Sequence, residues 1–392
     1  MVNFDETIDR KSSNSMKWSY PDRFLTKQQV QLDPLPMWVA DMDFRVAPCI
    51  TSALQNVLDH GVLGYSGVSA SYKQAITTWQ KKRHNWHTDP DWLVLSPGIV
   101  TMLNMIIQAF TNTNDSILVQ PPVYIHFHQD VITNGRKLVT APLQLVGERY
   151  VFDAELFEKA ITADTKLFIL CNPHNPTGNV WSSHELKTIG DICAAHNVIV
   201  VSDEIHGDLI MDPGKKFVPF ASLGDEYAQN SIICTAASKS FNLAGLQCSN
   251  NYIANPVIRE KLTAHMKTCG LNLINIMGMV ATEAAYSQGE EWLEDLLKYV
   301  RENQQIFASK VNNSNLPLTA LPMDSLYLSW LDCRQLNLSA EDLNDFFLTK
   351  AGLWFDDGRK FGQEGHGFMR VNLGCTRQTL NEALKRLEAA FQ

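Results

Sequence analysis

A chain of 392 residues with 45% hydrophobic and 19% charged residues has the composition of a packed protein with length enough for two domains, and it holds no apolar run long enough to span a bilayer. A formal net charge of −9 excludes nucleic-acid binding as its main business, because a phosphate polyanion is repelled overall and the basic cluster Lys81-Lys82-Arg83 is short enough to be a solvated helix face. The eight cysteines are scattered without a Cys-x-x-Cys pair or a zinc-ligand spacing, so the expectation is buried thiols in a reducing compartment and no metal.

In chain order, residues 1–20 are polar and mixed in charge, without the pattern of an export signal, and a cytoplasmic location is expected. Residues 1–47 read as an arm that joins a small domain. From Pro48 to about residue 286, helical periodicity alternates with short apolar runs at 92–95, 116–120, 166–171, 198–203 and 232–236. That alternation predicts an α/β fold, a large domain whose mainly parallel sheet is covered by helices on both faces. From 287 to 392 the pattern changes: a long charged helix at 290–311, a strand at 325–331, a helix near 340–350 and a Gly-rich loop before 367–372. This predicts a smaller α+β domain.

Ligands of such sheets gather where strands end, and four segments stand at those exits. Asp203 closes the run Val198-Ile199-Val200-Val201-Ser202 and is followed by Glu204-Ile205-His206. A carboxylate there serves equally as a surface group, a helix cap or a partner for a cationic ring nitrogen. Lys239, in Ala237-Ser238-Lys239-Ser240-Phe241 just beyond a buried strand, is placed to lose solvation, which lowers its pKa and frees the amine for imine formation. In Asn172-Pro173-His174-Asn175-Pro176-Thr177-Gly178 the prolines and glycine fix a tight loop that can aim Asn175 at a planar ligand. Ser96-Pro97-Gly98-Ile99-Val100 opens a helix whose free N–H groups suit a phosphate.

Together these segments resemble the fold-type-I pyridoxal-phosphate enzymes, the aspartate-aminotransferase superfamily, over essentially the whole chain. The resemblance implies a seven-stranded sheet and pyridoxal 5'-phosphate held by Lys239 as a Schiff base. It implies that Asp203 salt-bridges the protonated pyridine nitrogen, that Asn175 hydrogen-bonds the ring hydroxyl oxygen, and that Gly98, Ile99, Ser238 and Thr235 hold the phosphate. Tyr124, in Gln120-Pro121-Pro122-Val123-Tyr124, matches the aromatic that stacks on the ring beside Lys239 and Asp203. Tyr65, in Gly61-Val62-Leu63-Gly64-Tyr65, matches the tyrosine that reaches the neighbouring subunit's cofactor phosphate, which implies a homodimer. Arg370, in Gly367-Phe368-Met369-Arg370-Val371-Asn372, matches the arginine that grips the substrate α-carboxylate, a task suited to a guanidinium fork.

Within the superfamily, Pro36-Met37-Trp38-Val39-Ala40-Asp41-Met42-Asp43-Phe44, Asp203-Glu204-Ile205-His206, the run from Ser238 to Gln247, and Phe361-Gly362 before Arg370 resemble the cystathionine β-lyase branch, the C–S lyases of MalY/PatB type. Two departures from the aminotransferase pattern stand out. His206 replaces a tyrosine that would bond the ring oxygen, and Gln247 replaces a phosphate-binding arginine, so cofactor retention is expected to lean on backbone amides, hydroxyls and Tyr65. The resemblance implies β-elimination from a sulfur amino acid, with Lys239 as general base and Trp38 and Tyr124 as an apolar surround for the thioether. An aminotransferase uses the same Lys239, Asp203 and Arg370 and stays open at this point, as does a regulatory or binding role on the same scaffold. A nicotinamide dehydrogenase is excluded because no G-x-G-x-x-G opens a strand–helix unit.

Overall fold

The structure is a computed structural model that describes residues 2–392. Its central element is a seven-stranded sheet in the order Leu93–Ser96, Ser249–Tyr252, Ser231–Thr235, Ile199–Asp203, Thr165–Cys171, Ser116–Val119, Lys137–Thr140. Only Ser249–Tyr252 is antiparallel to its neighbours. Because it is reversed against both sides, Leu93–Ser96 again points the same way as the other five strands, and its carboxyl end reaches the edge where Cys171, Asp203 and Thr235 end. Alternate strand residues feed two different cores. Leu118, Phe168, Leu170, Val200 and Ile233 pack on one face, and Ile117, Val119, Ile169, Val201 and Ile232 on the other. A sheet covered on both faces needs apolar residues at consecutive positions, which is why these runs were visible in the sequence.

Two strands were not. Lys137–Thr140 is an edge strand with two exposed residues. Ser249–Tyr252 is polar yet wholly buried, and local partners take up part of its side-chain polarity, while Asn250 Nδ2, Asn251 Oδ1 and Tyr252 Oη stay buried without a partner. Asn250 Oδ1 accepts from Tyr72 Oη at 2.6 Å, Asn251 Nδ2 donates to the Val94 carbonyl at 2.8 Å, and Ser249 and Ser96 share a hydroxyl contact of 2.6 Å.

The second sheet is antiparallel, in the order Thr319–Ala320, Leu328–Asp332, Phe368–Asn372, Asp356–Asp357. The strand expected over 325–331 starts later, at Leu328, because Leu326 sits at φ 73° while Ser325 bridges to Ile210 instead. The helix expected near 340–350 is an α-helix over Ala340–Asp345 that widens into a π-helical turn over Phe346–Lys350. The long helix Glu290–Asn312 carries both cores: Trp292, Leu293, Leu296, Leu297 and Val300 enter the large cluster, and Phe307 and Val311 enter that of the second sheet. It meets the helix Ile276–Gln288 at Gly289, where an added Cβ would lie 2.5 Å from the Ala285 carbonyl oxygen and 2.6 Å from the Phe241 ring. Only glycine fits that corner.

The arm bridges the two sheets. Leu35–Pro36 pairs in parallel with Leu353–Trp354, Met37 lies in the core of the second sheet, and Met42 and Phe44 lie in the large cluster. Asp43, itself buried, fixes the next stretch, accepting from buried Lys17 at 2.7 Å, Arg10 at 2.6 Å and Trp18 Nε1 at 2.9 Å. Among the described residues no helix is long and apolar enough to cross a membrane, and no cluster of His, Cys, Asp and Glu could hold a metal ion.

Candidate active site

Strand register levels the key residues. Cys171 pairs with Asp203 and Asp203 with Cys234, so the loop after each strand leaves the sheet at one edge. Asp203 is 5% exposed, and its carboxylate accepts one hydrogen bond, from the Ile205 amide at 3.2 Å. Burial pushes its pKa up to about 7, against the Ile205 bond and the Lys239 charge, which both favour the anion. A buried carboxylate so poorly solvated is a site that a cation or a protonated ring nitrogen would satisfy. Its neighbour Glu204 points elsewhere, accepting from Ser202 Oγ at 2.9 Å and from the Phe220 amide at 2.8 Å.

Lys239 stands in the short helix Ala237–Ser240 directly after strand Ser231–Thr235. Burial, then the nearby Arg370 charge, brings its amine down to about 8, with Asp41 and Asp203 pulling the other way. Its Nζ donates to the Ala40 carbonyl at 2.7 Å, and Tyr327 Oη donates to that same oxygen at 2.7 Å. The arm is clamped there from both sides. Asn242 accepts from the Met42 amide at 2.9 Å and donates to the Met42 and Phe44 carbonyls at 2.9 and 3.2 Å. Asn372 Nδ2 donates to the carbonyls of Val39 and Asp41. Ser240 faces away from Lys239, donating at 2.7 Å to Asp208, which also accepts from Trp79 Nε1 and contacts His84 Nε2.

Arg370 lies mid-strand in Phe368–Asn372 and is 4% exposed. Nη1 donates to Asn175 Oδ1 at 3.1 Å, Nη2 donates to the Trp38 carbonyl at 3.0 Å and to Asp356 Oδ2 at 2.5 Å, and the Phe361 ring lies 4.9 Å beneath the guanidinium. Asn175 and Arg370, 195 residues apart, therefore meet directly. Trp38 reaches this group through its backbone: its ring stacks on Trp354 at 4.6 Å and meets Phe24 edge-on at 4.9 Å.

The remaining expected residues divide into those around this centre and those away from it. Tyr124 precedes the helix Ile125–Thr133, and its hydroxyl pKa is raised by burial and by the charge of Asp203, which places the phenol near that carboxylate. His206 is 3% exposed, with Nδ1 buried and unpartnered, and burial together with the charges of Lys239 and Arg370 holds its imidazole neutral. Gly98 caps the helix Ile99–Phe110 at φ 85° with no side-chain bond to its first amides and no atom within 4 Å of where a Cβ would be. Ser238 is half-buried, whereas Thr235 spends its hydroxyl on the Asn250 carbonyl at 2.9 Å. Gln247 is exposed, at φ 48°. Tyr65, at 98% exposure, stands between the helices Pro48–His60 and Ala70–His84 beside exposed Val62 and Leu63.

These residues fit pyridoxal phosphate. An uncapped helix N-terminus behind an open glycine suits the phosphate, an under-solvated carboxylate suits the pyridine nitrogen, an unpartnered imidazole and the Asn175 amide suit the ring oxygens, and a depressed lysine suits the aldehyde carbon. Sequence reasoning missed Ala40, Tyr327, Asn372 and Asp356. Ala40 acts through its carbonyl, which no side-chain pattern reports, and Asp356 is one of two adjacent aspartates in an ordinary-looking turn. Ala40, Asn242 and Asn372 did stand in quoted motifs, without a role.

A family model for class I and II aminotransferases matches residues 37–387. The chain is 41% identical to cystathionine β-lyase PatB of Bacillus subtilis, with all of both chains covered. Among solved structures it is similar to cystalysin from Treponema denticola, which contains pyridoxal 5'-phosphate, at a TM-score of 0.95 and 33% identity over 100% of this chain and 99% of that one. It is likewise similar to the pyridoxal-phosphate-bound C–S lyase of Staphylococcus hominis, at a TM-score of 0.91 and 31% identity over 100% of this chain and 98% of that one.

Proposed function

The chain belongs to the class I and II aminotransferase family, and from this premise we propose that it acts as a pyridoxal-phosphate-dependent carbon–sulfur lyase on L-cystathionine or related L-cysteine thioethers, releasing pyruvate, ammonia and a thiol such as homocysteine. When bound, pyridoxal phosphate supplies the electron sink that makes the substrate α-carbon acidic. Asp203 would keep the ring nitrogen protonated, Asn175 and His206 would hold the ring oxygen, Tyr124 would cover the ring, and the Gly98–Ile99 amides with Ser238 would hold the phosphate. Arg370 grips the α-carboxylate and turns the substrate so that its α-hydrogen faces Lys239. The amine of Lys239, which burial brings down to about 8 in the cofactor-free chain, takes that proton. The Cβ–S bond then breaks with its electron pair on sulfur, the thiolate takes a proton and leaves, and the remaining 2-aminoacrylate is hydrolysed to pyruvate and ammonia.

The observation that favours elimination over transamination of dicarboxylic acids is that Arg370 is the sole buried arginine among the described residues. This chain offers no second buried guanidinium for a distal carboxylate, while Tyr124, Phe361 and the nearby aromatic cluster suit a thioether. The assay incubates the enzyme with L-cystathionine, with and without 2-oxoglutarate. Pyruvate and thiol in equal amounts without the acceptor are expected, and product that forms only with the acceptor, as glutamate, would overturn the reading.

The working unit we propose is a homodimer in which Tyr65 of the partner subunit reaches the phosphate. Tyr65, Val62 and Leu63 are 98%, 67% and 62% exposed, an apolar run that an isolated chain has no reason to present to water. Eight unpaired cysteines suit a reducing cytoplasm.

A further inference from the structure

Asp356 faces two cations at once. Its Oδ2 accepts from Arg370 Nη2 at 2.5 Å and its Oδ1 from Lys360 Nζ at 2.8 Å. Arg370 and Asp356 are buried, whereas the Lys360 side chain is 42% exposed, and its ammonium stands 5.3 Å over the Trp38 ring. A guanidinium has five N–H donors. Here both Nη2 donors are engaged, by Asp356 and by the Trp38 carbonyl, one Nη1 donor goes to Asn175, and Nε is buried without a partner. The fork that would meet a carboxylate is therefore already half occupied by an anion of the same chain. An arriving carboxylate competes with Asp356 for the Arg370 charge, and a buried carboxylate that loses its cation is strongly penalised unless another takes its place. Lys360 already touches the other oxygen.

We propose that Asp356 is a positioning residue of Arg370, and that Lys360 sets how tightly the site grips the substrate α-carboxylate by taking up the Asp356 charge when Arg370 turns its own to the substrate. The proposal rests on the reading of Arg370 as the carboxylate grip. It assigns Lys360 no contact with substrate: the lysine acts through Asp356. Removing Lys360 leaves Asp356 bound to Arg370 alone and weakens the site for any carboxylate. Asp356→Asn keeps an oxygen acceptor for Nη2 but deletes the competing charge, and strengthens it.

The test uses the dimeric holoenzyme and 3-(methylthio)propionate, which keeps the carboxylate and thioether of a substrate and lacks the amine. Calorimetry should give a Kd raised about 5- to 20-fold in Lys360→Met, restored in Lys360→Arg, and lowered in Asp356→Asn, with Lys360→Met adding nothing in the Asp356→Asn background. With L-cystathionine the Lys360→Met change should fall on KM, not kcat. An unchanged Kd in Lys360→Met, or a loss that persists in the Asp356→Asn background and so marks direct contact, overturns the proposal. If Asp356→Asn does not fold, Asp356→Ser supplies the uncharged background in its place. Arg370→Gln is the separate control: should it bind 3-(methylthio)propionate as well as the parent, the reading of Arg370 itself fails.

Discussion

Lys239 Nζ donates to the carbonyl oxygen of Ala40 at 2.7 Å, across 199 residues of chain. The contact gives the amine a defined place when it is not bound to an aldehyde, and it ties the reactive group to the arm that also presents the Trp38 carbonyl to Arg370. In Lys239→Met the visible absorption of lysine-bound cofactor and all turnover should vanish while the circular dichroism spectrum is kept. The stability of the cofactor-free protein supplies a second readout. Between about pH 8 and 10.5 the unfolded chain holds a proton on Lys239 that the folded chain has released, so unfolding free energy rises with pH across that window. Lys239→Met should lose that rise, on the order of 2 kcal/mol, in urea titrations at pH 7.5 and 10; parallel curves for the two proteins would contradict the depressed amine.

Asp203 titrates in the opposite sense. Burial raises its carboxyl from 3.8 to about 7, so across that interval the cofactor-free folded state holds a proton that the unfolded chain has lost, and stability falls as pH rises. Asp203→Asn should abolish that fall and be the more stable cofactor-free protein at pH 8, by about 2–4 kcal/mol. The loaded enzyme should pay with turnover: kcat is expected to drop by about 100-fold or more with a smaller change in KM. A variant with full kcat and bound cofactor would remove Asp203 from the chemistry.

Sedimentation velocity should find a dimer, and Val62→Glu, at a position 67% exposed in the single chain, should shift it to monomer with loss of cofactor and activity. Tyr65→Phe should stay dimeric yet release cofactor faster on gel filtration, since it lacks only the phosphate-bonding hydroxyl. Unaltered cofactor retention in that variant would free Tyr65 of the role.

Asn242 holds three main-chain groups of the arm from a left-handed conformation at φ 58°. Asn242→Ala loses the bonds and keeps the strain, which should cost about 2–4 kcal/mol in thermal or urea unfolding. Asn242→Gly loses the same bonds without the strain and should recover about 1 kcal/mol of that. Equal losses in the two variants would mean the conformation contributes nothing.

Much of this was legible before any coordinates, and the boundary has a physical cause. Doubly covered strands tend to be apolar at consecutive positions, so Thr165–Cys171 and Ile199–Asp203 declared themselves by their apolar runs at 167–171 and 199–201, and with them the exits that carry Asn175 and Asp203. Ser249–Tyr252 did not, because its burial rests on hydrogen bonds to Tyr72, Val94 and Ser96 that only the folded chain brings together. Lys239 was singled out by its surroundings in the sequence, and Arg370 by the family resemblance. The Ala40 carbonyl, the Tyr327 hydroxyl and the Asp356–Lys360 pair were not, since their positions follow from the second sheet pressing the arm against the first.

The bond from Arg370 to the Trp38 carbonyl spans 332 residues and that from Arg370 to Asn175 spans 195. In order of synthesis, every strand of the large sheet, with Asp203 and Lys239, precedes Arg370 by more than a hundred residues. The residues proposed to bind the cofactor are therefore made before the residue proposed to grip the substrate, and the bonds of Arg370 to Trp38 and Asn175 are among the last that the chain can close.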